Sequence, residues 1–290
     1  MKPSISVVIA TWQRTTLLEH CLNALLNQTI ETSYEIIVVT DGPDRETVQF
    51  MKRWLNSYIG NVAVNCLSLP VKKGPAAARN AGWRKAKGEL IVFTDDDCVP
   101  QPGCLAQYWL AYTPFRDTPI AFSGCVQVPY GLDEEFTMAW REDTALEFDL
   151  SEKEVPIIKV PGVIIQHPVR TATWGVSIRE QKKSMFNALL YKKHTTLYDK
   201  ANIGRTPRYY YLIAGVLLLA LGFAFRNLQI TFYCLGIWSL LTGWFAFKRL
   251  RNTSRSFNHV LEMICTSAII PILSIYWNLN GAIKFKTLYL

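Results

Sequence analysis

Three consecutive aspartates, Asp95, Asp96 and Asp97, directly follow the apolar run ELIVFT at residues 89–94. Adjacent like charges repel, and each carboxylate that leaves bulk water loses solvation, so this arrangement needs a compensating cation. Carboxylate oxygens are the ligands that hard divalent ions such as Mg2+ and Mn2+ prefer in proteins. An ion held there stabilises the negative charge of a leaving phosphate. The cluster therefore predicts a site for a divalent cation.

Strand-like and helix-like segments alternate ahead of these aspartates and would position them. The strand-like runs are continuous and apolar, which is typical of a parallel sheet with helices on both faces. Strands are predicted at residues 5–10, 34–40, 62–69 and 89–94, and helices at 14–28, 45–58 and 75–87. Because ligands bind beyond the carboxyl ends of such strands, Asp41 after the second strand is expected at the same edge as Asp95. The fold class is therefore α/β with a mainly parallel sheet.

The positive charge of the chain is confined to its last third. The sequence carries 31 Lys and Arg against 23 Asp and Glu, a formal net charge of +8. From residue 201 onward there are nine basic residues and a single acid, Glu262, so this tail accounts for the whole excess. The first 200 residues are neutral, which disfavours nucleic acid as a partner.

Three uncharged apolar runs in the tail have the length of membrane helices. They lie at about residues 209–225, 227–247 and 263–283. The third contains Pro271 and can either span the bilayer or lie re-entrant; we favour spanning. The basic linker KRLRNTSR at residues 248–255 indicates the cytoplasmic side. We therefore expect a soluble domain at residues 1–200 on the cytoplasmic face and a domain at residues 201–290 in the inner (plasma) membrane.

An amphipathic helix is predicted between these parts, at about residues 174–194. Its apolar residues can share one helix face, and basic residues surround them. The apolar set is Trp174, Ile178, Met185 and Leu189, and the basic set is Arg179, Lys182, Lys183, Lys192 and Lys193. This composition favours a helix on an anionic membrane surface, although an ordinary helix packed on the soluble domain has the same pattern.

The first two thirds of the chain resemble glycosyltransferase family 2 of the membrane-anchored bacterial type. That family opens with a strand like SVVIPTYNR, continues with IIVVDDGSxD and GxxxARNxG, and then has a strand that runs into Asp-x-Asp. Here SVVIATWQR stands at residues 6–14, EIIVVTDGPD at 35–44 and KKGPAAARNAGWRKAKGELIVFTDDD at 72–97. The resemblance covers about residues 4 to 200 and implies the GT-A fold, a nucleoside diphosphate sugar as donor and Mn2+ or Mg2+ as cofactor.

The resemblance also implies which residues form the donor site. Asp41 would contact the nucleobase, Asp95 would lie near the ribose and the metal, and Asp97 would bind the metal directly. Thr11, Arg79, Asn80 and Asp96 complete the expected nucleotide-sugar site, with the role of Asp96 open between a solvent-facing position and a sugar contact. His167 is a further candidate for the metal or a phosphate, and Arg170 for a phosphate.

The segment WREDTAL at residues 140–146 resembles the family's catalytic region and implies that Asp143 is the base, with Glu142 beside it. An acceptor hydroxyl must lose its proton as it attacks the anomeric carbon, and a carboxylate within hydrogen-bond distance can take that proton. Composition alone does not select Asp143, because other acids lie close to it in the chain. Among them are Glu134, Glu135, Glu147 and Asp149.

The predicted function is an inverting, metal-dependent glycosyltransferase that acts on a hydroxyl of a lipid-linked glycan in surface polysaccharide synthesis. Two departures from the family pattern qualify this prediction. Thr40 and Asp41 stand where the family often has two acids, which leaves the nucleobase open, and the absence of Gln-x-x-Arg-Trp argues for one transfer per acceptor. The alternatives are a polyprenyl-phosphate glycosyltransferase and a membrane protein that only binds nucleotide sugar.

Overall fold

The computed structural model describes residues 2–122, 125–127, 132–167 and 172–289, with only the backbone described at 125–127. The chain forms two compact units, Met1–Arg170 and Thr171–Leu290. The second unit therefore begins ahead of the segment predicted to lie on the membrane surface.

The first unit is built on a seven-stranded sheet with the order β3-β2-β1-β4-β7-β6-β8. Its parallel part is β1, β2, β3 and β4, while β7 joins β4 and β6 in antiparallel pairs. A separate antiparallel pair is formed by β5 and β9. The strands are β1 Ile5–Thr11, β2 Tyr34–Thr40, β3 Ala63–Ser68, β4 Leu90–Asp95, β5 Val99–Pro100, β6 Ile120–Phe122, β7 Cys125–Gln127, β8 Ile157–Ile158 and β9 Ile165–Gln166.

Helices connect the parallel strands, as the alternating pattern predicts. They are α1 Thr15–Leu26, α2 Arg45–Ser57 and α3 Pro75–Trp83, and the later helices of this unit are α4 Cys104–Tyr112 and α5 Glu142–Glu152. Local chemistry fixes where two of them begin. The carboxylate of Asp44 accepts the backbone N–H of Thr47 at 3.1 Å and caps α2. Pro75 is the first residue of α3, where its missing N–H costs nothing.

The register of the strands aligns their carboxyl ends. Thr11 at the end of β1 lies opposite Thr40 of β2, and Ala10 lies opposite Asp95 of β4. The residues that follow these strands therefore meet at one edge of the sheet, as expected for Asp41 and Asp95. The mainly parallel α/β fold is confirmed.

The central strands are held by apolar packing on both faces. On one face, Val7 and Ile9 pack with residues that include Leu18 and Leu22 of α1. On the other face, Val8 belongs to a cluster that includes Ala78 of α3. β1 and β2 are almost wholly buried, so close packing in the core fixes their positions. The carboxyl ends of these strands are therefore held rigidly.

The second unit is entirely helical in its regular structure. Its helices are α6 Val176–Glu180, α7 Met185–Lys193, α8 Thr195–Lys200, α9 Arg208–Phe223, α10 Leu228–Leu250 and α11 Phe257–Lys284. Of these, α10 and α11 are long and apolar enough to cross a membrane by length and composition, whereas α9 has 16 residues. Large apolar side chains on α9 and α10 are exposed in the protein alone, at 68% for Leu218 and 76% for Leu240.

The segment predicted as one amphipathic helix at residues 174–194 is divided. A 3-10 turn at Gln181–Ser184 separates α6 from α7, and residues 185–190 of α7 are all buried. Close packing on α11 explains this burial, since a Cβ added at Gly281 would lie 2.3 Å from the carbonyl oxygen of Met185. The α7 part is therefore enclosed within its own unit instead of presenting one apolar face outward.

Candidate active site

A cavity of about 620 Å3 opens at the edge of the sheet where β1, β2 and β4 end. The loops after these strands form one side, and the residues from 137 to the first turn of α5 form the other. Seven of the residues predicted from the sequence line it: Thr11, Asp41, Arg79, Asp95, Asp96, Glu142 and Asp143. The structure therefore brings most of the predicted site together.

Arg79 links three of these acids. Its Nη2 donates to Asp95 Oδ1 at 2.6 Å, and its Nη1 donates to Glu142 Oε1 at 3.3 Å and lies 3.7 Å from Asp143 Oδ1. Burial alone would lower the pKa of Arg79, but the carboxylates of Asp95, Asp143 and Glu142 outweigh it and raise the pKa. The guanidinium on α3 thus fixes the end of β4 relative to the start of α5.

The two acids at the start of α5 have different surroundings. Glu142 is buried, and burial together with the charge of Asp143 raises its pKa. The side chain of Asp143 is 80% exposed. Asp143 is therefore the accessible acid of the two, while the buried Glu142 accepts a hydrogen bond from Arg79.

Asp96 is buried rather than solvent-facing. Its Oδ2 accepts the hydroxyl of Thr11 at 2.8 Å, and its Oδ1 accepts Arg14 Nη1 at 3.1 Å. Burial raises the pKa of Asp96, although both hydrogen bonds oppose that shift. Asp96 thereby ties β1 to β4 and holds Arg14 over the cavity, a residue that the sequence prediction did not include.

Asp97 and His167 do not line this cavity; they form a pair next to Asp96, which does. The Nε2 of His167 lies 3.3 Å from Oδ1 of Asp97, whose side chain is fully buried. Together with Cys98, each offers one ligand atom within 4.8 Å of the others. The carboxylate suits Mg2+ or Mn2+, and the imidazole favours a transition ion. Burial raises the pKa of the Cys98 thiol, which disfavours the thiolate that binds metals.

The predicted second metal ligand, Asp95, is engaged elsewhere. Its Oδ1 forms the short ion pair with Arg79, and it does not belong to the group formed by Asp97, Cys98 and His167. The side chain of Asp95 is 46% exposed, so its other oxygen is accessible from the cavity. Asp97 and His167 thus fit a divalent ion as a pair, and Arg170 lies outside the described residues.

Asp41 shapes the side of the cavity next to the loop before α3. Its Oδ1 accepts the backbone N–H groups of Lys73 and Gly74 at 2.8 and 2.9 Å. This fixes the loop before α3, where Lys72 Nζ lies 4.1 Å from the centroid of the Trp12 ring. Trp12 and Lys72 also line the cavity, and the sequence prediction missed both. The available signal was an aromatic residue directly after β1 and a lysine in the loop between β3 and α3.

Asn80 braces the domain instead of lining the cavity. Its Nδ2 donates to the carbonyl of Leu132 at 2.6 Å and to Glu134 at 3.1 Å, and its Oδ1 accepts the N–H of Leu132 at 2.8 Å. Both ends of the Asn80 amide are thus bound within the protein. Asn80 therefore holds the segment of Leu132 and Glu134 in place, instead of making the nucleotide contact expected from the sequence.

Gly74 is required by the shape of the loop before α3. Its φ is +103°, and a Cβ at this position would lie 2.5 Å from the carbonyl oxygen of Thr137. We expect Gly74→Ala to destabilise the protein by about 1–3 kcal/mol, measured by thermal unfolding of the full chain in detergent. Gly103→Ala is the matched control, because φ there is −87° and nothing lies within 4 Å of the added Cβ. Equal unfolding temperatures for the two variants would contradict this role.

A parallel sheet that ends on acids around such a cavity is the architecture of GT-A nucleotide-sugar transferases. The mannosyltransferase PcManGT of Pyrobaculum calidifontis, solved with GDP-Man and Mn2+, matches with a TM-score of 0.58 at 17% identity, covering 96% of this chain and 88% of that chain. TarS of S. aureus matches with a TM-score of 0.50 at 13% identity, covering 93% of this chain and 55% of that chain. These likenesses concern the fold, and they confirm the predicted GT-A class.

Residues 6–148, just under half of the chain, match the model of glycosyl transferase family 2, so the chain contains a domain of this family. Glycosyltransferase AglE of Haloferax volcanii is 32% identical over 109 residues, which are 37% of this chain and 33% of AglE. The GalNAc(5)-diNAcBac-PP-undecaprenol beta-1,3-glucosyltransferase of Campylobacter jejuni is 26% identical over 197 residues, 68% of this chain and 59% of that enzyme. The matched part is less than two thirds of either relative's length.

Proposed function

We propose that this protein transfers a sugar from a nucleoside diphosphate sugar to a hydroxyl of a lipid-linked glycan, with inversion at the anomeric carbon. The observation that carries the proposal is the exposed carboxylate of Asp143 at the cavity. Arg79 holds it beside Asp95 at the carboxyl end of β4. This exposed position supports Asp143 as the base that acts beside the reacting sugar of a bound donor.

The proposed chemistry follows from the positions of the side chains. Asp143 accepts the proton of the attacking hydroxyl, whose oxygen forms a new bond to the anomeric carbon while the bond to the diphosphate breaks. Attack from the face opposite the leaving group inverts the configuration. Glu142 and Asp95 accept hydrogen bonds from Arg79 and so keep its guanidinium beside Asp143.

The nucleotide is proposed to bind between β1 and the loop before α3. Asp41 presents a buried carboxylate to a base N–H, as in uracil or guanine, and Trp12 offers a flat apolar face. Arg14, half-exposed at the cavity, is a cation for the diphosphate. Mn2+ or Mg2+ held by Asp97 and His167 would neutralise the charge of the leaving diphosphate.

The acceptor and the location are proposed from the second unit and from a relative. The name of the Campylobacter jejuni enzyme gives an undecaprenol-linked glycan as its acceptor. We propose that α9, α10 and α11 anchor this chain in the inner membrane. The basic linker of residues 248–255 would lie on the cytoplasmic side, with the catalytic domain, in surface polysaccharide synthesis.

Transfer of a labelled sugar tests the proposal directly. Detergent-purified full chain is incubated with Mn2+, a panel of labelled nucleotide sugars and membranes from a source strain that lacks this gene. One donor is expected to label the lipid fraction, with the opposite anomeric configuration in the product. If no donor labels any fraction, the proposal that the protein is an active transferase is contradicted.

A further inference from the structure

A second cavity of about 660 Å3 lies in the first unit, beside the one already described. Its walls come from the end of β4, from α5, and from β6, β8 and β9. The apolar side chains that line it include Phe93, Phe122, Leu132, Leu146, Leu150 and Ile157. It shares Arg79, Asp95 and Asp143 with the first cavity, so the two meet at the proposed base.

We propose that this second cavity binds the acceptor as a neutral, hydroxyl-bearing sugar, and that Glu147 is the residue that positions it. This inference rests on the proposed function. An inverting transfer needs the donor and the acceptor on opposite sides of the reacting carbon. Two cavities that share Asp143 offer a separate space for each substrate, and the first contains the residues proposed to bind the nucleotide.

Glu147 stands one helical turn after Asp143 on α5. Residues four apart lie on the same face of a helix, with Cβ atoms roughly 5–6 Å apart. Both side chains line the second cavity, and both residues are exposed. While Asp143 takes the proton of the attacking hydroxyl, the carboxylate of Glu147 can accept a hydrogen bond from another hydroxyl of the same sugar. Glu147 would thus set which hydroxyl reaches Asp143.

The charges around the cavity favour a neutral acceptor over a phosphate. Asp95, Asp143 and Glu147 bring three carboxylates to it. The guanidinium of Arg79 is already shared among acids, so Lys159 is the remaining cation among the described lining residues. An anionic acceptor would be repelled here, whereas the C–H face of a sugar ring fits the apolar wall. This argues against direct transfer to a polyprenyl phosphate.

Variants of Glu147 test the inference through the dependence on acceptor. With membranes as the acceptor source, Glu147→Ala is expected to raise the amount needed for half-maximal transfer by about 10- to 100-fold, as for loss of a hydrogen bond to a charged group. Glu147→Gln retains an acceptor oxygen and should recover most of this loss. The donor KM and the slow hydrolysis of donor by water should stay within about twofold, because neither uses Glu147.

Two further variants separate the outcomes. Glu19→Ala removes an exposed glutamate of α1 that lines neither cavity, and it should leave every parameter unchanged. Ile157→Trp fills the cavity from a side chain that is 44% exposed, and it should suppress transfer while donor hydrolysis persists.

The inference would be overturned if Glu147→Ala and Ile157→Trp both left the dependence on acceptor unchanged. Turnover with polyprenyl phosphate as the sole acceptor would also overturn it. An equal loss of hydrolysis and transfer would do the same, because it would place Glu147 in the donor site. If the unaltered protein neither hydrolyses a donor nor transfers its sugar, the proposed function fails instead.

Discussion

Asp143→Asn is expected to lower kcat for transfer by about 100- to 10,000-fold, the range that general base catalysis contributes. The amide keeps the shape of the side chain and cannot take the acceptor proton. Donor affinity should change little, because the side chain of Asp143 is 80% exposed. Its contact with Arg79, at 3.7 Å, is the longest of the three that Arg79 makes, and Arg79 keeps the shorter contacts to Asp95 and Glu142. Initial rates of labelled transfer and donor binding measured on the same preparation separate the two effects.

A matched variant controls for the loss of a surface carboxylate. Asp117→Asn alters an exposed aspartate that lines neither cavity, so its rate should equal that of the unaltered protein. Near-full activity of Asp143→Asn would remove the base from the mechanism. It would favour an acceptor that is already an anion, as in transfer to a polyprenyl phosphate.

Asp97→Asn is expected to abolish the stimulation of turnover by Mn2+. The carboxylate of Asp97 is fully buried and lies 3.3 Å from His167, so it is the anionic half of the proposed cation site. The amide is nearly isosteric, and its loss of charge weakens binding of a hard cation. Activity titrated against Mn2+ at fixed donor measures the effect, and His167→Ala should shift the same titration less, because it removes a neutral ligand.

The titration distinguishes a lost ligand from a lost fold. Thermal unfolding without nucleotide should remain cooperative in Asp97→Asn, and nucleotide binding without metal should be similar to that of the unaltered protein. A variant with an unchanged Mn2+ titration would show that the ion binds elsewhere or is not needed.

The edge of the sheet that carries the site could be predicted from the sequence. Continuous apolar runs place β1, β2 and β4 in a buried parallel sheet, and this arrangement brings the residues after each strand to one edge. Asp41 and Asp95 accordingly line the same cavity at this edge, as the order of strands and helices predicts. The motifs shared with the family then predict Asp143 among its neighbouring acids as the base, which charge and spacing could not do.

The partners of these residues could not be predicted, because they depend on side-chain directions across different elements. Nothing in the sequence indicates that Arg79 binds Asp95 and Glu142 at once, or that the amide of Asn80 donates a hydrogen bond to Leu132. The same holds for α7, whose basic residues suggest a membrane surface. Its burial comes from the close approach of Gly281 in α11, a contact about ninety residues away along the chain.

The most direct test of the account is nucleotide binding to the purified full chain, with and without Mn2+. UDP, GDP, dTDP and CMP are compared by thermal shift in the unaltered protein and in Asp97→Asn. One nucleoside diphosphate should stabilise the unaltered protein in the presence of Mn2+, by about 2.7 kcal/mol at a hundredfold excess over its Kd, and the Mn2+-dependent part should disappear in the variant. No shift with any nucleotide, or an equal shift in both proteins with Mn2+, would contradict a metal-dependent donor site at the edge of this sheet.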